Sequence, residues 1–287
     1  MTTKTSAIEA ADHRGRAERG DRTMRHFTIH HDGVTIPVAR GGRGRPLVLC
    51  PGLNSTQADL HELAELLRSD HDVVTFDLRG HGLASAAGRY SFEAFRTDLA
   101  AVLAELRRQG PDAAPVLAGY SLGADLAVHH AAEHPGAVAG LVLIDGANPV
   151  PEPFVTEDVL PGFRAMWADQ AAQQEAERGT ARQVLLTAQE ILDLNVEIDA
   201  VRSGILDRYR KIDLPISMIM STSMAGDSGE GHAPRFNRNW RAGVERLVRE
   251  QPHVATHWLD ADHRLVFTHA PEIAQIIRGA RGPAGQG

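Results

Sequence analysis

Residues 115–124 read Pro115-Val116-Leu117-Ala118-Gly119-Tyr120-Ser121-Leu122-Gly123-Ala124, and this stretch decides the fold. Pro115 to Gly119 is a short apolar run suited to a buried strand. Leu122 to Glu133 reads as a helix, ended by Pro135. Between them lies the pattern G-x-S-x-G, in the strand–turn–helix context that gives the pattern meaning. A serine on so tight a turn needs small neighbours, so that strand and helix can approach. Gly119, Gly123 and Ala124 are those neighbours. The turn lifts the serine hydroxyl above the C-terminal edge of a sheet, where ligands bind in open α/β folds. The helix N-terminus behind it favours developing negative charge.

The same alternation extends outward on both sides. Upstream, His26 to His31 and Val34 to Ala39 flank Asp32-Gly33, a hairpin signal. Pro46 to Cys50 is a continuous apolar strand, and Leu60, Leu63, Ala64 and Leu67 recur at helical spacing. Asp72 to Phe76 reads as a strand. Phe92, Phe95, Leu99, Val102, Leu103 and Leu106 mark one face of a helix that stops at Gly110-Pro111. Downstream, Val138 to Ile144 is again a strand. The pattern then breaks from about Asn148 to Asp213, where polar (Ala171 to Arg182) and amphipathic (Val184 to Ile198) helical stretches replace strands. It resumes with Ile216 to Met220, a helix around Phe236 to Arg249, Thr256 to Leu259, and a last helix from Pro271 to Arg278. Strand–helix repetition predicts an α/β fold: a mostly parallel sheet with helices on both faces. The expected division is a core over 25–147 and 214–279, a helical cap over 148–213, and disordered or flexible ends at 1–24 and 280–287.

Composition narrows the function classes. The chain has 287 residues, 43% of them apolar, which is enough for one sizeable core. A net charge of −7 and a pI near 6.1 give no electrostatic reason to bind nucleic acid. A single cysteine precludes an internal disulfide framework. No apolar run approaches the ~20 residues that span a bilayer, and the first residues lack the apolar stretch of a secretory signal. The expectation is a soluble cytoplasmic protein that acts on a small molecule, with neither nucleic acid nor membrane as partner. Aromatic residues are 5% of the chain, so composition offers no stacking platform for a sugar or nucleobase.

The chain resembles the α/β-hydrolase superfamily over about residues 25 to 279. Beyond the serine turn, Cys50-Pro51-Gly52-Leu53 is similar to that family's His-Gly-x turn, with Pro51 in place of the usual histidine. Phe76-Asp77-Leu78-Arg79-Gly80-His81-Gly82 matches its D-x-R-G-x-G segment. Leu141 to Gly146 resembles its sixth strand, and Asp262-His263 followed by Ala270-Pro271-Glu272 its catalytic-histidine loop.

What the resemblance implies is a serine hydrolase with a nucleophile elbow, cleaving a carboxylic ester, thioester or lactone. A serine hydroxyl needs a base to take its proton. With Ser121 as nucleophile, His263 stands where the family places that base. Two acids compete for the third position. Asp145 ends the sixth strand, and Asp227 lies on the loop after the seventh, which Ala225-Gly226 and Ser228-Gly229 could let reach inward. Asp145 is slightly preferred. The backbone N–H groups of Leu122 and, by resemblance, Leu53 form the expected oxyanion hole. Asn54 and Ser55 line the same pocket or merely form the turn. No metal or organic cofactor is implied.

Several other signals carry blander readings. His130-Ala131-Ala132-Glu133-His134 spells a metalloprotease pattern, but Pro135 ends its helix at once. Cys50 reads as a buried small residue. Asp77, Arg79 and His81 read as braces of the loop after the fourth strand. Met166, Trp167, Leu185, Leu186, Ile191 and Leu192 line an acyl pocket or pack the cap. The serine turn alone leaves open C–C bond hydrolysis, lyase or cofactor-free oxygenase chemistry, and a non-catalytic receptor.

Overall fold

The computed structural model describes residues 24–110 and 113–279. The segments expected to be disordered or flexible therefore lie outside the described residues, apart from Met24. Eight strands form one sheet in the order β1-β2-β4-β3-β5-β6-β7-β8. The hairpin of β1 (Arg25–His31) and β2 (Val34–Gly42) turns at Asp32 and Gly33, both at positive φ, as a two-residue hairpin turn demands. β2 runs antiparallel to β4 (His71–Phe76). All remaining neighbours are parallel: β3 (Arg45–Cys50), β4, β5 (Val116–Tyr120), β6 (Gly140–Ile144), β7 (Ile216–Ser221) and β8 (Ala255–Leu259).

Side-chain alternation divides the core into two layers. Val48 and Cys50, Leu141 and Leu143, and Met218 and Met220 face one side of the sheet. There they meet α2 (Phe92–Arg108), α3 (Leu122–Glu133) and α7 (Ala233–Glu250) through Phe95, Leu126 and Val244. Leu47 and Leu49, Val142 and Ile144, and Ile219 face the other side. They meet α1 (His61–Leu67) and α8 (Ala270–Gly279) through Leu63, Leu67, Ile273 and Ile277. The central strands are buried on both faces, which is why they read as continuous apolar runs.

Between β6 and β7 the chain inserts α4 (Leu160–Gln174), a 3₁₀ turn, α5 (Ala188–Ser203) and α6 (Ile205–Tyr209). Both helical stretches of the insertion are bounded differently from the sequence expectation. The polar helix starts earlier, with Pro161 in its first turn, and ends at Gln174, well before Arg182. The amphipathic helix starts later, at Ala188, because Thr187 and Glu190 form a capping box. Val184 instead forms an isolated bridge to His81. The insertion is pinned to the core by a buried ion pair, Arg202 to Asp125 on α3, at 2.7 Å. Tyr209 adds a 2.8 Å hydrogen bond to the Ala147 carbonyl. Breaking one partner of such a pair strands a buried charge, so the contact resists loss even where its net contribution is small. Among the described residues no helix is long and apolar enough to cross a membrane.

Candidate active site

Ser121 sits between β5 and α3 with φ 50° and ψ −119°. This backbone region is costly for any residue with a Cβ, and strain of this kind clusters at functional sites. Crowding explains the flanking glycines. A Cβ on Gly123 would stand 2.4 Å from the Cys50 carbonyl oxygen, and one on Gly119 would stand 2.2 Å from that of Gly123. The Ser121 N–H donates to the Ile144 carbonyl at 2.9 Å, which ties the turn to β6.

The loop after β8 delivers His263 from the far end of the chain. Its Nε2 lies 3.0 Å from Ser121 Oγ and its Nδ1 lies 2.8 Å from Asp145 Oδ2. A carboxylate only accepts, so Nδ1 carries the proton and Nε2 presents a lone pair to the serine hydroxyl. The imidazole is held from both sides of its backbone. The His263 N–H donates to the Met224 carbonyl at 3.2 Å, and Tyr120 Oη donates to the His263 carbonyl at 2.8 Å.

Asp145 follows β6 directly and is fully buried, with φ 45°. Its N–H donates to the Ile219 carbonyl at 2.8 Å. Besides His263, its carboxylate accepts from the Ser221 N–H at 2.8 Å, from Ser221 Oγ at 2.8 and 2.9 Å, and from the Trp240 indole N–H at 3.0 Å. A buried carboxylate is tolerable only when its lone pairs are satisfied in this way. Asp227 is not brought to the site. It is exposed, and the preceding loop is fastened outward to α7. There Asn237 accepts from the Ala225 N–H and donates to the Gly226 carbonyl.

Leu122 N–H opens α3 and has no intrahelical acceptor. Among the described residues, neither it nor Leu53 N–H donates to any protein group. The turn bearing Leu53 presses against the serine, since a Cβ on Gly52 would lie 2.9 Å from Ser121 Cβ. Ser55 is a turn former: its hydroxyl accepts from the Gly52 N–H at 2.8 Å and donates to the Gly52 carbonyl at 3.0 Å.

Ser221 and Trp240 are the residues that sequence reasoning missed. Ser221 ends β7, and the β6–β7 register sets Ile144 beside Ile219, so Asp145 reaches Ser221 two residues further along β7. No sequence signal marks Trp240, which reaches Asp145 from α7. A group of aromatic rings lies beside the acid. The Trp240 ring lies 6.3 Å from that of His263 and 5.8 Å from Phe154. Phe236 joins Phe154 at 5.4 Å and Phe163 of the insertion at 6.0 Å.

The remaining motif residues are occupied elsewhere. Arg79 makes two 2.7 Å bonds to Asp98 and reaches Asp32 at 3.2 Å. Glu133 pairs with Arg96 and Arg208, so the carboxylate that the metalloprotease pattern would use as a base is held in ion pairs. Among the described residues no group of three or more His, Cys, Asp or Glu side chains could hold a metal ion. Burial pushes the Cys50 thiol far above its ordinary range.

Comparison with known proteins adds a family. The family described as "alpha/beta hydrolase fold" matches residues 45–258. The chain is 30% identical over 130 residues to the AB hydrolase superfamily protein YisY of Bacillus subtilis, covering 44% of this chain and 47% of that protein. It is 36% identical over 107 residues to N-formylmaleamate deformylase of Pseudomonas putida, covering 37% and 38% respectively. The matched stretches thus span less than half of either relative. The solved structure of E-2-(acetamidomethylene)succinate hydrolase superposes with a TM-score of 0.66 at 20% identity, covering 90% of this chain and 98% of that one.

Proposed function

Because the chain belongs to the alpha/beta hydrolase family, we propose that it is a serine hydrolase cleaving a carboxylic ester, thioester or lactone through an acyl-enzyme on Ser121. One observation carries this reading: the unbroken relay from Ser121 Oγ through His263 to the buried carboxylate of Asp145, at 3.0 and 2.8 Å. His263 Nε2 takes the hydroxyl proton as Oγ attacks the substrate carbonyl. The carbonyl oxygen gains the negative charge, and the Leu53 and Leu122 N–H groups receive it in this reading. His263 then passes its proton to the leaving oxygen or sulfur, and the C–O or C–S bond breaks. Water, deprotonated by the same nitrogen, releases the acid and restores Ser121. Asp145 stays ionised throughout and stabilises the imidazolium. Base catalysis contributes about 10²- to 10⁴-fold, and each oxyanion donor about 10²- to 10³-fold.

The helical insertion serves as a cap that sorts acyl groups, and the Phe154, Phe163 and Phe236 side of the site favours apolar ones. A second reading, hydrolysis of an amide-type substrate, is favoured by the similarity to a deformylase. The same relay would serve it, with His263 protonating a leaving nitrogen. Initial rates on p-nitrophenyl butyrate and on a p-nitroanilide separate the two. Ser121→Ala is expected to lose at least about 10³-fold in kcat on the preferred substrate and all labelling by a fluorophosphonate probe. Turnover unchanged in that variant would sink the mechanism.

A further inference from the structure

The loop after β4 carries a buried histidine that this mechanism does not use. His81 is fully excluded from solvent. Its Nδ1 lies 2.9 Å from the Arg79 carbonyl oxygen, a group that only accepts, so Nδ1 bears the proton. Nε2 is thereby an acceptor, and the backbone N–H of Asn54 donates to it at 3.3 Å. Burial pulls the ring's pKa from 6.5 to about 4, so it stays neutral near neutral pH. The Asp59 carboxylate, on the same loop as Asn54, opposes that shift. From α2 the neutral ring of Phe95 packs against it at 6.0 Å, and from the insertion Val184 forms a backbone bridge. The Arg79 guanidinium is turned away to Asp98 and Asp32.

Asn54 follows the expected oxyanion donor Leu53 and has φ 62°, the left-handed region that asparagine adopts more readily than most side chains. The bond from His81 anchors the Leu53–Asn54 peptide plane in that turn. Asp77 anchors the same loop a few residues later, accepting from the Gln57 N–H and its side-chain amide, both at 2.8 Å. The loop after β4 is thus a template on which the oxyanion turn is laid. We propose that His81 is a positioning residue for the oxyanion hole: its Nε2 lone pair fixes the Leu53–Asn54 peptide and, through the Leu53 Cα, restrains the adjoining Gly52–Leu53 peptide that carries the Leu53 N–H. The proposal rests on reading Leu53 as an oxyanion donor. Free rotation of that peptide would misdirect the adjoining N–H without altering the serine relay.

Two substitutions separate positioning from packing. His81→Gln keeps an acceptor at the reach of Nε2. His81→Asn keeps a donor at the reach of Nδ1 but cannot extend to Asn54. We expect His81→Asn to lower kcat about 10- to 100-fold with KM little changed, and His81→Gln to stay within about threefold of the parent. Affinity for a trifluoromethyl ketone, whose hemiketal adduct needs the hole, should fall in His81→Asn by the same factor as kcat/KM. Amide hydrogen exchange at Asn54, read in the resting protein, tests the bond without any turnover: protection should be lost in His81→Asn and kept in His81→Gln. Equal effects of the two substitutions on kcat, or an Asn54 amide unprotected in the parent, would overturn the proposal. Absence of Ser121-dependent turnover in the parent would instead count against the hydrolase reading, and the exchange result would still decide the role of His81.

Discussion

Replacing Asp145 by asparagine is the sharpest test of the relay. The carboxylate receives Ser221 N–H and the Trp240 indole on Oδ1, and His263 Nδ1 on Oδ2. An asparagine can keep only one acceptor oxygen. If that oxygen stays with Ser221 and Trp240, the amide NH₂ faces His263. Nδ1 must then accept, the ring proton moves to Nε2, and Nε2 no longer offers a lone pair to Ser121 Oγ. If the amide turns the other way, the indole and the Ser221 N–H are left facing a donor in a fully buried site, at about 1–3 kcal/mol each. The first arrangement is therefore favoured, and it yields a folded protein with the wrong tautomer. That outcome costs about 10⁴-fold in kcat, or roughly 5 kcal/mol of barrier. The assay is initial-rate hydrolysis of p-nitrophenyl butyrate, with thermal melting as the control for folding. Asp227→Asn is the companion variant. Its side chain is exposed and does not meet His263, so its rate should match the parent within about twofold. An Asp145→Asn enzyme within tenfold of the parent, or an equal loss in Asp227→Asn, would refute the reasoning.

Two further expectations concern buried groups outside the relay. Burial pulls the pKa values of His81, His129 and His130 from 6.5 to about 4, so each must take up a proton more readily unfolded than folded. Their contribution to stability is complete above about pH 6.5 and is lost as pH falls through about 4, at most roughly 3 kcal/mol apiece. Melting temperature should therefore drop steadily from pH 6.5 to 4.5, and a His130→Leu variant should flatten the slope; a flat curve in the parent would contradict the burial argument. The Cys50 thiol, buried with its pKa raised, should resist iodoacetamide in the folded protein and react fully in guanidinium, as read by mass spectrometry. Rapid alkylation of the native state would show that the strand end opens.

The serine turn was legible because its cause is local. Gly119, Ser121 and Gly123 are bound by steric contacts between strand and helix neighbours, and such contacts demand small residues at set offsets. The central strands were legible for a similarly local reason, since a short continuous apolar run such as Leu47-Val48-Leu49-Cys50 marks a strand buried on both faces. The insertion was less readable. The capping box at Thr187 and Glu190 is plain in the sequence, yet apolar periodicity beginning at Val184 drew the helix start too early.

His263 was placed by its order along the chain and by family likeness, and the tertiary structure brings it to Ser121 across 142 residues of sequence. The choice between Asp145 and Asp227 lay beyond the sequence. It turns on where β6 and β7 end relative to each other, and on Asn237 of α7 holding the intervening loop away. Trp240 and Ser221 around the acid, and His81 beneath Asn54, are likewise products of packing between distant segments. Local sterics are written in neighbouring residues and can be read there. The partner of a buried polar group is chosen by whichever element the whole fold delivers to it, and that choice exists only once the sheet has closed around the site.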